Sequence, residues 1–183
     1  MTRVNVVQAL TSADYARRVA AESWLLQAAP HKETAGIEWS QQAVALLTAG
    51  VTWDAVRVPY EVLDPAYNYD TEPLVLRRRL DELSVDGAVF CDPHRPCLYV
   101  MVPPGTDRLW PQDADVVKLG VDCLGGTLPY IRLVGVPRLD RTEPPGSYWL
   151  LPPDKAGRRH ASAKNLYNAL HACVRTAVRQ VIS

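Results

Sequence analysis

Three residues with metal-binding side chains, Cys91, His94 and Cys97, lie three positions apart in the middle of the chain. This C-x2-H-x2-C spacing presents two thiolates and an imidazole, which are ligands that zinc prefers, and Cys123 is a candidate fourth ligand. The alternative is structural, because both cysteines end apolar runs, where a small buried residue is expected. The sequence therefore leaves a zinc site and a pair of packed thiols as alternatives.

The strongest charge asymmetry lies at the carboxyl-terminal end of the chain. Residues 155–183 include six basic residues and no acidic one. Two of them, Arg175 and Arg179, suit the end of a helix, where the helix dipole favours positive charge. The others have no such explanation, so we interpret them as candidate contacts to the phosphates of nucleic acid or nucleotide. The predicted nucleic-acid-binding residues are Arg158, Arg159 and Lys164, together with Arg77 and Arg78 of a second basic run.

Motifs that would indicate catalysis are missing from the sequence. It has no G-x-S-x-G nucleophile elbow and neither of the glycine-rich loops, G-x-x-x-x-G-K-[ST] and G-x-G-x-x-G, that hold phosphates. The carboxylates of Asp113 and Asp115 could hold a divalent ion on a strand, but their surroundings predict a helix, where the two side chains diverge. These observations favour a non-enzymatic protein that needs no cofactor.

The composition limits the partners that the protein attracts through charge. The formal net charge of the 183 residues is zero, so no overall attraction to nucleic acid or to an anionic membrane is expected. No apolar run approaches the ~20 residues that span a bilayer, and the first twenty residues lack the pattern of a secretory signal. We therefore expect a cytoplasmic protein without a membrane partner, with its four cysteines as thiols.

The stretch 87–105 predicts the centre of the fold. Two apolar runs, 88–91 and 97–102, flank a polar turn that contains two prolines, which is the pattern of a β-hairpin. Neither run alternates apolar with polar residues, as expected of strands that are covered on both faces. The hairpin should therefore lie in the middle of a sheet.

Apolar periodicity and turn residues predict the other elements. Arg77 to Arg79 can also be a solvated helix face, because Asp81 and Glu82 follow directly. The predicted helices cover residues 11–29, 37–49, 71–83, 111–120 and 162–182, and the further strands cover 52–59, 128–136 and 147–151.

These elements predict an α/β (α+β) fold with a mixed, mainly antiparallel sheet of about five strands and helices on both faces. Residues 1–50 form an N-terminal helical extension. Residues 51–183 form an α/β domain with a C-terminal helix. We expect the two parts to make one compact unit.

Several short motifs between Trp53 and Arg175 carry a resemblance to a known family. They are WDAVRVP at 53–59, a DP turn at 92–93, LYVMVPPG at 98–105, LG at 119–120 and YWLLPP at 148–153, followed by a terminal helix with Ala, Cys and Arg. In these motifs the chain resembles small actinobacterial proteins that are grouped with the N-terminal domain of bifunctional DNA primase-polymerases. The first fifty residues lie outside the resemblance.

The resemblance implies a role for the domain without implying catalysis. Active members of that family hold divalent metal with an acidic pair one residue apart on a strand, and they bind the incoming nucleotide with a histidine two residues after a serine. Here the acidic pair Asp113 and Asp115 lies on a predicted helix, and no histidine has a serine two residues before it. The resemblance thus implies an accessory domain that has lost polymerase chemistry and binds nucleic acid or nucleotide beside its sheet.

Two functions from different classes follow from the sequence. The first is a non-enzymatic accessory protein that binds nucleic acid or nucleotide weakly through the basic residues named above. The alternative is a protein-interaction or assembly module, with no nucleic-acid role, whose Trp- and Tyr-rich loops and N-terminal helices contact a protein partner. Binding to nucleic acid would weaken steeply with salt, whereas a protein complex would respond little.

Overall fold

The computed structural model describes residues 12–126 and 131–182 of the chain. These residues form six α-helices and seven β-strands. The helices are α1 (Ser12–Leu26), α2 (Lys32–Gln42), α3 (Tyr60–Leu63), α4 (Pro73–Glu82), α5 (Ala114–Lys118) and α6 (Ala163–Ile182). The strands are β1 (Val44–Thr48), β2 (Asp54–Pro59), β3 (Val89–Asp92), β4 (Cys97–Val102), β5 (Asp122–Leu124), β6 (Leu133–Pro137) and β7 (Tyr148–Leu151), and a 3₁₀ turn (Thr106–Arg108) follows β4.

The larger sheet has five strands in the order β5-β2-β4-β3-β7, and every neighbouring pair in it is antiparallel. The strands β1 and β6 form a separate antiparallel pair, which we call the ribbon. Both the predicted fold class and the predicted number of strands in the main sheet are confirmed, but the strand predicted at 128–136 corresponds to β6 of the ribbon, and β5 is the fifth strand of the main sheet. None of the helices that the structure describes is long and apolar enough to cross a membrane.

The predicted hairpin is confirmed as β3 and β4, with Asp92 opposite Cys97. The strand β4 is the central strand of the sheet, and all six of its residues are buried. A strand that is buried at every position needs cover on both faces, and the sheet has it.

Two apolar layers cover the sheet. On the helix face, side chains of α3, α4, α5 and α6 pack against Val56, Val100 and Leu150. On the ribbon face, α1, α2 and the ribbon pack against Phe90, Met101 and Trp149. Residues of the predicted N-terminal extension therefore share a core with the sheet.

The predicted helix 37–49 is wrong after Gln42. The helix α2 ends there, because Ala43 adopts a left-handed conformation with φ 60°, and the chain continues as β1. Within β1 burial alternates, with Ala45 and Leu47 buried and Leu46 exposed, as in a strand with one covered face. Apolar residues from 44 to 47 suit a helix equally well, and pairing with the distant strand β6 decides the outcome.

Other differences from the prediction are smaller. The short elements α3 and β5 were not predicted, because four and three residues are too few to show a period. The strand predicted at 128–136 begins at Leu133 in β6, and residues 127–130 lie outside the described part. The predicted helices at 71–83 and 162–182 are confirmed as α4 and α6.

Candidate functional site

The side chain of Arg77 forms hydrogen bonds within the fold. Its guanidinium donates through Nε to the carbonyl oxygen of Leu150 at 3.2 Å and through Nη2 to that of Thr142 at 3.0 Å. Leu150 belongs to β7, which is an edge strand, so Arg77 covers part of that edge. Arg78, the next residue of α4, is exposed.

Arg158 and Arg159 also contact neighbouring parts of the protein. The guanidinium of Arg159 lies over the ring of Trp24, 5.5 Å from its centroid, and donates to the carbonyl oxygen of Ala20 at 3.4 Å. Nε of Arg158 lies 3.6 Å from Oδ2 of Asp86, in a pair that is largely exposed. An exposed ion pair of this kind adds little stability, so Arg158 stays accessible to a ligand.

Lys164 has a different setting, because it lines a cavity with aromatic walls. The cavity has a volume of about 330 Å³ and lies between the segment after β4 and the first turns of α6. Its remaining lining is mostly apolar and consists of Thr106, Leu109, Trp110, Pro111, Ala163 and Tyr167. We call this cavity the aromatic pocket.

The rings of the aromatic pocket are held in a fixed arrangement. The Trp110 indole meets the Tyr167 ring edge-on, with centroids 5.7 Å apart and planes at 89°. Tyr167 in turn stacks on His171, at 5.9 Å and 28°. Trp110 is almost fully buried, whereas Leu109 beside it is 85% exposed. The pocket thus combines a rigid aromatic wall with an open apolar rim.

The sequence of α6 places its functional side chains on one side. Ser162 caps the helix, accepting a hydrogen bond from the backbone N–H of Asn165 at 3.3 Å. Positions 164, 167, 171 and 175 are three and four residues apart, so their side chains share one side of the helix. They carry Lys164, Tyr167, His171 and Arg175, a row of basic and aromatic side chains. An acidic side chain also lies here, with Oδ2 of Asp113 3.7 Å from Nε2 of His171.

The predicted metal ligands are placed apart. Cys91 packs in the core of the helix face and Cys97 in that of the ribbon face, so the sheet separates the two thiols. Burial raises the pKa of both thiols, which disfavours the thiolate form that binds metal. His94 is exposed in the turn between them. Within the described residues, no three His, Cys, Asp or Glu side chains are grouped to hold a metal ion.

A pair of neighbouring carboxyl groups, of which Asp54 is buried and Asp107 is partly buried, was not predicted. Asp54, at the start of β2, is fully buried, and the backbone N–H of Asp107 donates to its Oδ2 at 2.9 Å. Burial, with a smaller contribution from the charge of Asp107, raises the pKa of Asp54 to about 6. A Cβ on Gly125 would lie 2.3 Å from Cγ of Asp107, so the backbone closes over the pair.

The enclosure of the carboxyl pair decides its role. Neither Asp54 nor Asp107 lines the aromatic pocket. A catalytic carboxyl has to reach a substrate, so we interpret the pair as a pH-sensitive part of the core. Burial also raises the pKa of the Cys123 thiol, and the nearby carboxylates raise it further.

Comparison of the chain with protein-family models, with curated proteins and with solved structures gave no match. The resemblance to primase-polymerase domains therefore stays a prediction, and the function has to be inferred from the geometry of the chain itself.

Proposed function

We propose that this protein is a non-enzymatic accessory protein that binds single-stranded nucleic acid or a nucleotide, with one base in the aromatic pocket. One observation carries the proposal: Trp110, Tyr167 and Lys164 line the same cavity. Aromatic rings that stack on bases, next to a cation that attracts phosphate, are the usual elements of such sites.

The chemistry of the lining fits a nucleotide. Every nucleobase has a flat π-face, and the pocket offers the ring of Tyr167 and the apolar side chains of Leu109 and Pro111. The volume of about 330 Å³ is at the small end for ligand sites, which suits a single base. The ammonium group of Lys164 is exposed and can follow the adjacent phosphate as a mobile point charge.

The row along α6 extends the site. Lys164 and Arg175 are eleven residues apart, which corresponds to about 16 Å along a helix. His171 lies between them and stacks on Tyr167. A single strand that follows α6 would then meet positive charge at both ends of the row. Since the chain as a whole is neutral, we expect weak binding that depends strongly on salt.

The resemblance to primase-polymerase domains supports the same class of ligand. The exposed Leu109 fits a protein partner as well, and this is the observation that favours the alternative function, a protein-interaction module. The two proposed functions differ in how the binding affinity responds to salt and to the loss of one positive charge.

Fluorescence anisotropy of labelled single- and double-stranded oligonucleotides, at low and physiological salt, tests the proposal. We expect the single strand to bind more tightly, and Lys164→Ala to reduce the slope of log affinity against log salt by about 0.7, the value for one phosphate contact on a single strand. Lys32→Ala removes the same charge from an exposed position of α2, which packs on the ribbon face of the sheet, and it is the matched control, which should bind as the wild type does. Absence of binding at low salt, or equal losses in both variants, would overturn the proposal.

A further inference from the structure

A second cavity, of about 550 Å³, lies between the ribbon and the main sheet. Val44, Leu46 and Leu133 of the ribbon form its apolar wall, and Arg57 and Tyr99 of the sheet lie opposite. It shares no lining residue with the aromatic pocket. We call it the ribbon cleft.

The outer edges of β1 and β7 are partly covered by groups from elsewhere in the chain. On the outer edge of β1, the backbone N–H of Leu46 donates to Oε2 of Glu38 at 2.9 Å, and that of Thr48 donates to Ala28 at 2.7 Å. On the outer edge of β7, Arg77 donates to the Leu150 carbonyl oxygen. Such protection is expected, because a bare edge binds other strands.

Within the described residues, the outer edge of β6 lacks this protection. Backbone hydrogen bonds from Arg138 to Ala43 and from Ala49 to Arg132, both 2.9 Å, show which residues of β6 face β1. In an antiparallel pair, residues whose backbone N–H and C=O groups point to the partner strand alternate with residues whose groups point away from it. The backbone groups of Leu133 and Gly135 therefore point away from β1. No residue in the described ranges supplies a hydrogen-bond partner to them. Both residues line the ribbon cleft.

The charge around this edge is positive. Arg57, Arg95 and Arg132 line the ribbon cleft, and among the residues that the structure describes Asp92 is the one acidic residue in its lining. Arg95 and Arg132 are exposed, and neither forms an ion pair with any residue in the described part of the chain. The ion pair of Arg57 with Asp122 is long, at 3.9 Å. A carboxylate at the cleft would therefore meet guanidinium groups that are free to form paired hydrogen bonds.

Apolar side chains complete the surface. Leu46 is 49% exposed and Leu133 is 50% exposed, and both line the ribbon cleft. A strand added beside β6 would lie about 4.8 Å away, with every second side chain over these residues. A nucleic acid has no alternating N–H and C=O groups to pair with the edge, whereas a peptide does.

We propose that β6 is a docking edge for an extended acidic segment of a partner protein, which adds to the ribbon as a third strand. Backbone groups of Leu133 and Gly135 pair with the segment, carboxylates bind Arg95 and Arg132, and apolar side chains pack on Leu46. This site goes beyond the proposed nucleotide binding and does not depend on it.

Selection from a displayed library of random twelve-residue peptides, on the full-length chain, tests this inference. We expect enriched peptides in which Asp or Glu alternates with β-branched or aromatic residues. Arg95→Ala combined with Arg132→Ala should weaken the best peptide at least tenfold, and Arg78→Ala should not. Failure to enrich any peptide, enrichment without acidic residues, or equal binding to the double variant would each overturn the proposal.

A second readout separates strand addition from simple charge attraction. In ¹H–¹⁵N spectra, the selected peptide should shift the amide signal of Gly135. N-methylation of every second peptide bond gives two versions of the peptide, and only the version that loses the N–H groups facing β6 should fail to bind. Binding of an acidic peptide without a shift of the Gly135 amide signal, or binding of both N-methylated versions, would contradict the added strand.

Discussion

The indole of Trp110 meets the phenol ring of Tyr167 at 89°, with the ring centroids 5.7 Å apart. This contact joins the segment after β4 to the second turn of α6, and it forms the wall of the aromatic pocket beside Lys164. Edge-to-face pairs of this kind add about 0.5–1.5 kcal/mol beyond their buried area. The fold thus stabilises the geometry that the proposed ligand needs.

The stability of the protein should depend on pH through Asp54. Its pKa in the folded state is about 6, above the ordinary value of 3.8, so the folded state keeps this proton to higher pH than the unfolded state. The neutral carboxyl makes its full favourable contribution to the free energy of unfolding below pH 3.8, and this contribution is lost as the pH rises through 6. At about 1.4 kcal/mol per pH unit, the loss is on the order of 3 kcal/mol.

Asp54→Asn tests this prediction, because the amide oxygen can still accept the hydrogen bond from Asp107 and carries no charge. In urea unfolding at neutral pH we expect the variant to be more stable than the wild type by about 1–3 kcal/mol, with the advantage vanishing near pH 4. The control is Asp70→Asn, at an exposed acid, which should leave the pH profile unchanged. A pH-independent difference between Asp54→Asn and the wild type would contradict the assignment.

Arg77 should matter for folding and Arg78 should not. Arg77→Ala leaves the carbonyl oxygens of Leu150 and Thr142 without their charged donor, which should lower the free energy of unfolding by about 1–3 kcal/mol. Arg78 is exposed on the same helix, and Arg78→Ala should stay within about 0.5 kcal/mol. Thermal unfolding by circular dichroism compares the two, and equal melting temperatures would show that Arg77 has no structural role.

Gly87 is required by a close backbone approach. A Cβ at this position would lie 2.0 Å from the backbone nitrogen of Ala161, which donates to Met101 at 2.8 Å. Gly87→Ala must displace the strand ends, so we expect a loss of about 1–3 kcal/mol or more. Gly36→Ala is the matched control, because it meets open space on α2 and should stabilise the protein by about 0.5–1 kcal/mol. Chemical denaturation of both variants measures the difference, and a neutral Gly87→Ala would contradict the close packing.

Zinc should not stabilise the protein. Because the sheet lies between Cys91 and Cys97, one ion cannot bind both thiols without breaking the β3–β4 hairpin. We expect the melting temperature to be unchanged by zinc or by a chelator, and Cys91→Ser to leave that result unchanged. A zinc-dependent rise in melting temperature that Cys91→Ser or Cys97→Ser removes would restore the metal site.

Continuous patterns in the sequence were enough to predict the central hairpin, α4 and α6. The helix predicted over 37–49 was wrong after Gln42, because an apolar run of this length suits a helix and a strand alike, and pairing with β6 settled it. Lys164 was predicted from charge alone. Trp110, which lines the same pocket, was not predicted, because only the fold brings the two residues to one cavity.

The same limit applies to the other sites. Asp54 and Asp107 are far apart in the chain, and an acid at the start of a strand gives no sign of being buried. The spacing of Cys91 and Cys97 suggested that they bind one metal ion, but the hairpin register puts the two thiols on opposite faces of the sheet. The exposed edge of β6 depends on pairing that a single sequence does not show.

The most direct test of the proposed function is the affinity of Tyr167→Ala for a labelled single-stranded oligonucleotide, measured over a range of salt. If a base stacks on this ring, affinity should fall about 5- to 150-fold, since one stacked base contributes about 1–3 kcal/mol. The salt slope should stay that of the wild type, and Tyr167→Phe should restore binding. Wild-type affinity in Tyr167→Ala would contradict the account, because no base could then be bound in the aromatic pocket.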